Sequence, residues 1–419
     1  MTALILFVFL GAAAVAVPIA HALLVAAMAA AATSDSIPLD LLVQQMVAQV
    51  QSFPLIAIPF FMLTGSLMMG GKLGEALIGV LSTLLGRFHG GPGQVGVMSS
   101  TIFGGVSGSA VADASAIGSL LIPWQKRLGY PPAFSAATLA AAATIDILIP
   151  PSIPMILFAL ASNTSVSALF VAGILPGMLM CGGFMVVCWW VGRRRNFPRE
   201  TRKLEWPVFS KQLLYASPAL VLPVLIVLFL RFGIATPTEV SVLSTLYAGV
   251  VSAVVYRDLG IKRLHRCVVD AGLASGVVLL VIMASSAIGW LLTFDRMPDG
   301  VVGWAQTHLS SGWSVILLMN LLMLVCGMFI DLPAAVLLLT PVFVPLANAI
   351  GMDLVQLGIM MTVNLAIGLY TPPVGTTLFI TSAVARVKVG ETVRELGPFY
   401  LVAFGVLALV SYVPWVIFK

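Results

Sequence analysis

The stretch "TIDILIPPSIP" (144–154) breaks an apolar region of the chain with three prolines and one carboxylate, Asp146. Proline has no N–H to donate and disrupts a helix interior, and a carboxylate at membrane depth is costly. A second Pro-Pro pair, in "AIGLYTPPVG" (366–375), interrupts a later apolar region in the same way. The two interruptions together predict a pair of helices that are unwound at their middle.

The composition is typical of a membrane protein. Of the 419 residues, 60% are hydrophobic and 9% are charged, whereas soluble proteins carry about 25% charged residues. Apolar runs of about 20 residues, the length of a spanning helix, recur along the whole chain. We therefore expect an all-α polytopic membrane protein. The sequence contains no catalytic cluster of carboxylates and histidines and no metal-ligand spacing, which disfavours a membrane-embedded enzyme.

The chain contains an internal repeat, in which the second copy follows the first at a constant spacing. That spacing places Pro123 over Pro345 and Gly129 over Gly351 without a gap, and it superposes the two Pro-Pro pairs. A match of this extent is hard to obtain by chance. The chain is predicted to divide into repeat one at 1–192, a basic loop at 193–212 and repeat two at 213–419.

Basic residues mark the side of the membrane that faces the cytoplasm. They cluster in "RRRNFPRETRK" (193–203), whereas 33–52 carries only acidic charges. The pair Lys126–Arg127 in repeat one is also basic, but the equivalent positions near Gly351 carry no basic residue. The two repeats are therefore expected to lie inverted in the membrane, with the loop 193–212 in the cytoplasm.

Each repeat also contains two apolar segments that are too short to cross the bilayer singly. In "GGVSGSAVADASAIG" (104–118), glycines and serines separate two such segments, and a span needs about 20 residues. The pattern predicts a re-entrant helical hairpin with its tip at 107–109. In the counterpart "GMFIDLPAAVLLLTP" (327–341), Asp331 is expected to cap the returning helix. The predicted elements are a hairpin at about 93–123 and a broken helix at 132–162 in repeat one, and a hairpin at about 313–350 and a broken helix at 354–386 in repeat two.

The unwound segments leave backbone groups without partners inside their helices. An unpaired carbonyl in hydrocarbon costs on the order of several kcal/mol, so these groups need a ligand or another protein group. Carbonyl and hydroxyl oxygens suit Na⁺, and the N-terminus of a half-helix attracts an anion. The paired interruptions therefore predict two cation sites flanking one anion site.

Four motifs carry a resemblance to a known family: "GSAVAD" (108–113), "LIPPSIP" (148–154), "AGILPG" (172–177) and "TPPVG" (371–375). In combination they resemble the DctM-like large membrane subunit of the tripartite ATP-independent periplasmic (TRAP) transporters, over essentially the whole chain. The resemblance implies an elevator-type, multi-pass protein of the bacterial inner membrane that couples Na⁺ entry to the uptake of an organic acid, usually a carboxylate. It also implies two protein partners, a small four-helix membrane subunit and a soluble periplasmic binding protein that delivers the substrate.

The resemblance also implies which positions bind the coupling ion. The expected Na⁺ ligands are Ser107, Gly108, Ser109, Ile149, Pro150, Asp331, Thr371, Pro372, Thr376 and Thr377. The candidates for contact with the substrate are Ser109, Asp146, Ser152 and Thr376. Asp146 departs from the family pattern, which has a small uncharged residue there, and is a candidate because carboxylates inside a membrane are usually functional.

Two points stay open at the level of sequence. A stand-alone Na⁺/carboxylate transporter, or another anion transporter with a similar two-hairpin plan, would carry the same interruptions. The segment 3–32 is long for one span. It predicts either a single tilted helix or a pair of helices that turns near Pro18.

Overall fold

The computed structural model describes residues 1–15, 17–33, 37–69, 71–199, 205–309 and 311–413. Asp35 and residues 200–204 of the predicted basic loop lie outside these ranges. The described chain is helical and contains no strand. Its α-helices are α1 (Thr2–Ala14), α2 (Ile19–Ala32), α3 (Leu39–Val50), α4 (Ala57–Met69), α5 (Lys72–Leu85), α6 (Gly91–Ser107), α7 (Ala110–Arg127), α8 (Pro132–Ala142), α9 (Ile153–Ser162), α10 (Val166–Arg194), α11 (Trp206–Arg231), α12 (Pro237–Val250), α13 (Ile261–Phe294), α14 (Met297–His308), α15 (Gly312–Phe329), α16 (Leu332–Ala349), α17 (Leu354–Gly368), α18 (Thr376–Ala385), α19 (Val389–Glu395) and α20 (Gly397–Tyr412).

The expected class, an all-α polytopic membrane protein, is confirmed. By length and composition, six of the described helices can cross a membrane, and up to eight if each of two bent pairs forms one span. The bent pairs are α3 with α4, at 60°, and α19 with α20, at 58°. Many large apolar side chains on α10, α11 and α13 are exposed, as a lipid-facing surface requires.

The N-terminal apolar segment forms two short helices. The chain breaks between α1 and α2, where Pro18 occupies the position before α2, and the two helices pack against each other. Each is about 20 Å long at 1.5 Å per residue, shorter than the bilayer core of about 30 Å. Of the two possibilities open for 3–32, the structure has the pair that turns near Pro18.

The hairpin and broken-helix segments of the two repeats have matching boundaries. Helices α6 and α7 cover the first predicted hairpin segment and extend past it to Gly91 and Arg127, and α15 and α16 cover the second. Helices α7 and α16 begin and end at positions that the repeat superposes. Both broken helices have a cis Pro-Pro bond in the gap, between α8 and α9 and between α17 and α18. The orientation of the repeats relative to a membrane stays a prediction.

Glycines let each hairpin cross its broken helix closely. A Cβ atom added to Gly104 on α6 would lie 2.5 Å from the Cα of Asp146. A Cβ added to Gly368 on α17 would lie 2.5 Å from the backbone of Gly327 on α15. The positions match to within one residue, since the repeat superposes Asp146 on Gly368 and Gly104 on Cys326, the neighbour of Gly327. Each hairpin tip is therefore held against the unwound part of the broken helix in its own repeat.

The broken helices lie at the centre of the molecule. From Phe134 onward α8 is buried on all sides, and α17 is buried from Gln356 to its end. A helix that is apolar all round is typical of a core position. The groups at the breaks are therefore surrounded by protein on most sides.

Candidate functional site

A cavity of about 280 Å³ lies between the two hairpin tips. Both tips, both unwound segments and two surrounding helices contribute to its wall. The residues that line it are Met62, Gly108, Ser109, Ala110, Val111, Ile147, Ile153, Pro154, Ala274, Val277, Val278, Asp331, Leu332, Pro333 and Leu369. Cavities that bury small ligands are typically of this kind, mostly apolar with a few polar groups that set orientation.

The first hairpin tip is built on a tight turn that requires glycine. Gly108 follows α6 in the left-handed conformation, with φ of +62°, and a Cβ atom there would lie 2.5 Å from the carbonyl oxygen of Pro151. Ser109 caps α7, since its hydroxyl accepts a hydrogen bond of 3.4 Å from the N–H of Ala112. The tip is thus pressed against the Pro-Pro segment with the Ser109 hydroxyl at the cavity.

Asp146 binds the tip from behind. The Ser107 hydroxyl donates a hydrogen bond of 2.9 Å to its carboxylate, and the N–H of Gly108 donates one of 3.2 Å. The N–H of Ser109 in turn donates to the Ser107 oxygen, at 3.3 Å. The Ser107 hydroxyl thus donates one hydrogen bond and accepts one. The second lone pair of its oxygen is free to bind a cation. Asp146 is fully buried and does not line the cavity.

The other predicted residues of repeat one lie beside the tip. Ile149 and Pro150 are buried in the unwound segment. Ser152 caps α9: its hydroxyl donates to the carbonyl of Ile147, at 2.6 Å, and accepts from the N–H of Met155, at 3.4 Å. These bonds occupy the Ser152 hydroxyl in the structure, and the residue does not line the cavity.

In repeat two the acidic residue is at the tip itself. Asp331 occupies the position before α16, but its side chain makes no capping hydrogen bond, and it lines the cavity. The Thr371 hydroxyl donates to the carbonyl of Ile367, at 2.6 Å. The Thr377 hydroxyl donates to the carbonyl of Leu369, at 2.9 Å.

Thr376 and Pro372 complete the set predicted for repeat two. Thr376 is the first residue of α18, and its hydroxyl is buried and has no hydrogen-bond partner among the described residues. Pro372 is partly exposed. The structure therefore brings Gly108, Ser109 and Asp331 into one cavity, whose lining does not include the other predicted residues.

Sequence reasoning missed the wall opposite the tips. Met62 on α4 and Ala274, Val277 and Val278 on α13 line the cavity. These apolar residues lie in long apolar helices, where a residue facing a cavity and a residue facing lipid look alike in sequence. No local signal could have identified them.

The electrostatics of the cavity come from helix ends. The N-termini of α7, α9 and α16 border it, and each N-terminus presents free N–H groups and a partial positive charge. The C-terminal ends of α6 and α17 also reach the site and carry the opposite polarity, although the Ile367 and Leu369 carbonyls at the end of α17 accept hydrogen bonds from Thr371 and Thr377. Of the described residues that line the cavity, none is Lys, Arg or His. The arrangement can hold an anion at backbone N–H groups and cations at carbonyl and hydroxyl oxygens.

Comparisons with known proteins identify the family of the chain. The family model of the "Tripartite ATP-independent periplasmic transporter, DctM component" matches residues 5–416. An uncharacterized protein of Sinorhizobium fredii, y4mL, is 54% identical over 99% of both chains. The large permease protein YiaN of the 2,3-diketo-L-gulonate TRAP transporter of Escherichia coli is 36% identical, over 97% of this chain and 95% of its own.

The fold has a more distant structural relative. The YdaH transporter of Alcanivorax borkumensis superposes with a TM-score of 0.62 over 89% of this chain and 88% of its own, at 16% identity. This likeness concerns the fold alone. The family model and the relatives named as permeases place the protein among transporters and not among enzymes. The chain belongs to the DctM family, the large membrane subunits of the TRAP transporters.

Proposed function

We propose that this TRAP subunit couples Na⁺ entry to the import of an organic acid, a carboxylate, across the bacterial inner membrane. A small four-helix membrane subunit completes the membrane complex, and a periplasmic binding protein delivers the substrate. The E. coli relative is named for a sugar acid, which supports an acidic substrate.

The cavity between the hairpin tips carries this proposal. Its volume of about 280 Å³ suits a small organic anion, and three helix N-termini border it without a basic side chain. A carboxylate is the charged group that backbone N–H donors at helix ends bind well. The anion is therefore recognised by the backbone, and the side chains of the wall discriminate among substrates by shape.

Na⁺ coupling is supported by the groups next to the anion position. Ser107 has a free lone pair at the tip. Asp331 lies in the cavity wall, and its carboxylate makes no capping hydrogen bond to α16. Thr376 has a buried hydroxyl without a partner among the described residues. Cations bound there neutralise the charge of the anion and complete the coordination of the unwound carbonyls. Empty sites would leave these oxygens unpaired, which links binding of the anion to binding of Na⁺.

An elevator mechanism assigns the parts of the fold to two bodies. The hairpins and broken helices, which share the cavity, form the body that moves. Helices α4 and α13 line the opposite wall and belong to the static scaffold. This division is part of the proposal, and it accounts for a cavity whose two walls differ in chemistry.

Reconstitution in liposomes tests the proposed function. The chain is assembled with its small membrane subunit and the cognate binding protein, and uptake of candidate organic acids is measured with an inward Na⁺ gradient or with K⁺ in its place. We expect uptake only with Na⁺ and only with the binding protein. Uptake that ignores Na⁺ and follows a proton gradient or ATP contradicts the coupling. Uptake that persists without the binding protein favours a stand-alone transporter.

A further inference from the structure

Two carboxylates lie buried next to each other in repeat one. Asp113 on α7 and Asp146 after α8 are both 0% exposed, and they are close enough to interact electrostatically. Asp146 accepts the two hydrogen bonds from the hairpin tip, but neither oxygen of Asp113 has a partner among the described residues. Buried polar atoms without partners are rare, and an unpaired buried charge costs on the order of several kcal/mol.

The surrounding helices carry no positive charge that could compensate the pair. Helices α6, α8 and α18, which pack against α7, contain no Lys, Arg or His. The nearest cation on α7 is Lys126, which at 1.5 Å per residue lies about 20 Å along the helix from Asp113. The ammonium group of Lys126 donates its hydrogen bond to the carbonyl of Ala385. The described protein itself therefore leaves the two carboxylates unneutralised.

A buried hydroxyl faces the same space. Ser100 lies on α6, two turns before Ser107 at the tip, and is 0% exposed. Its hydroxyl lies close to the carboxylate of Asp113 but without the geometry of a hydrogen bond, and no other described residue pairs with it. Unpartnered oxygens from a hydroxyl and from carboxylates form the donor set of a hard cation.

Repeat two has no such pair. The repeat superposes Asp113 on Ala335 and Asp146 on Gly368. The symmetry of the two repeats accounts for one cation position at each hairpin tip, but it does not account for two extra buried carboxyl groups in repeat one. When both are ionised, their charges balance two monovalent cations, one at the tip and one deeper in the protein.

We propose that Asp113, Asp146 and Ser100 form an additional Na⁺ site behind the tip of the first hairpin. The inference rests on the proposed Na⁺ coupling and adds one ion to it. Asp146 lies between the two positions in repeat one, because its carboxylate holds Ser107 at the tip and faces Asp113 behind it. Filling the deeper site therefore stabilises the tip in the geometry that receives the outer cation.

Equilibrium binding of ²²Na⁺ to the full-length chain, purified with its small membrane subunit, tests the site. We expect Asp146→Asn and Asp113→Asn each to bind one Na⁺ fewer per chain than the wild type. Asparagine at position 146 still offers one oxygen, so the tip keeps one of the two hydrogen bonds that Ser107 and Gly108 donate to Asp146. Asp295→Asn, which alters an exposed carboxylate at the end of α13, serves as the control and should bind as many ions as the wild type.

The outcomes separate this inference from the proposed function. If the wild type binds Na⁺ but both variants bind the same number with the same affinity, the additional site is refuted and the Na⁺ coupling stands. If the wild type binds no Na⁺, the coupling itself is refuted, and the additional site with it. Displacement of ²²Na⁺ by an equal concentration of Ca²⁺ would refute the assignment of the site to a monovalent ion.

Discussion

At the scale of the residue, a comparison of two substitutions can separate the structural role of Ser109 from its proposed role at the ion site. Ser109→Ala removes the cap of α7, at a cost of about 1 kcal/mol, and removes a hydroxyl from the cavity. We expect the apparent Na⁺ affinity of transport to fall by about tenfold, which corresponds to ~1.4 kcal/mol. Ser165→Ala removes the equivalent cap of α10, where the hydroxyl accepts from Ala168 at 3.3 Å, but not a cavity group. The assignment is wrong if both variants change the Na⁺ dependence of uptake equally.

Gly108 should tolerate no side chain, for two reasons that a control can distinguish. Its φ of +62° is nearly the same as that of Gly233, at +63°, so alanine costs about 1–2 kcal/mol at either position. Only at Gly108 does the new Cβ meet backbone, 2.5 Å from the Pro151 oxygen, whereas nothing lies within 4 Å at Gly233. We expect Gly108→Ala to lose a further ~2 kcal/mol of stability. The melting temperatures of the two variants in detergent test this expectation. Equal melting temperatures would contradict the packing at the tip.

At the scale of the element, α15 and α17 cross in close backbone contact. Gly368→Ala would place a methyl group 2.5 Å from the backbone of Gly327 and force the hairpin away from the broken helix. We expect a loss of ~1–3 kcal/mol together with loss of transport. Gly405→Ala on α20 meets nothing within 4 Å and should gain up to about 1 kcal/mol of helix stability. Melting temperature and uptake of the two variants test the crossing, and equal stability would contradict it.

The positions of the helix breaks were predictable because proline and glycine act locally. Pro150 and Gly108 disrupt or turn the chain at their own positions, so the sequence alone places the gap between α8 and α9 and the tip between α6 and α7. The binding of Asp146 to Ser107 was not predictable. The two residues are 39 positions apart, and only the packing of α6 against the broken helix brings them together.

At the scale of the whole molecule, the cavity wall on α13 follows from assembly and not from any local pattern. Val277 is 63% exposed and Val254 on the helical continuation of α12 is 65% exposed, and both read as lipid-facing valines in the sequence. Only Val277 lines the cavity. The difference arises because both hairpins and both broken helices face α13 across the cavity. These elements lie far from α13 in the sequence, so no local pattern marks the residues that face them.

If the cavity alternates between the two sides of the membrane, Val277 must change its exposure to water when Na⁺ binds. In a variant whose native cysteines are replaced, Val277→Cys should react with a membrane-impermeant thiol reagent at a rate that changes several-fold between Na⁺ and K⁺ buffers. The change should have opposite signs in right-side-out and inside-out vesicles, because closing one entrance accompanies opening the other. Val254→Cys, outside the cavity, should react at a rate independent of the cation. Equal rates for Val277→Cys in both buffers and in both vesicle orientations would show that α13 does not face the transport path.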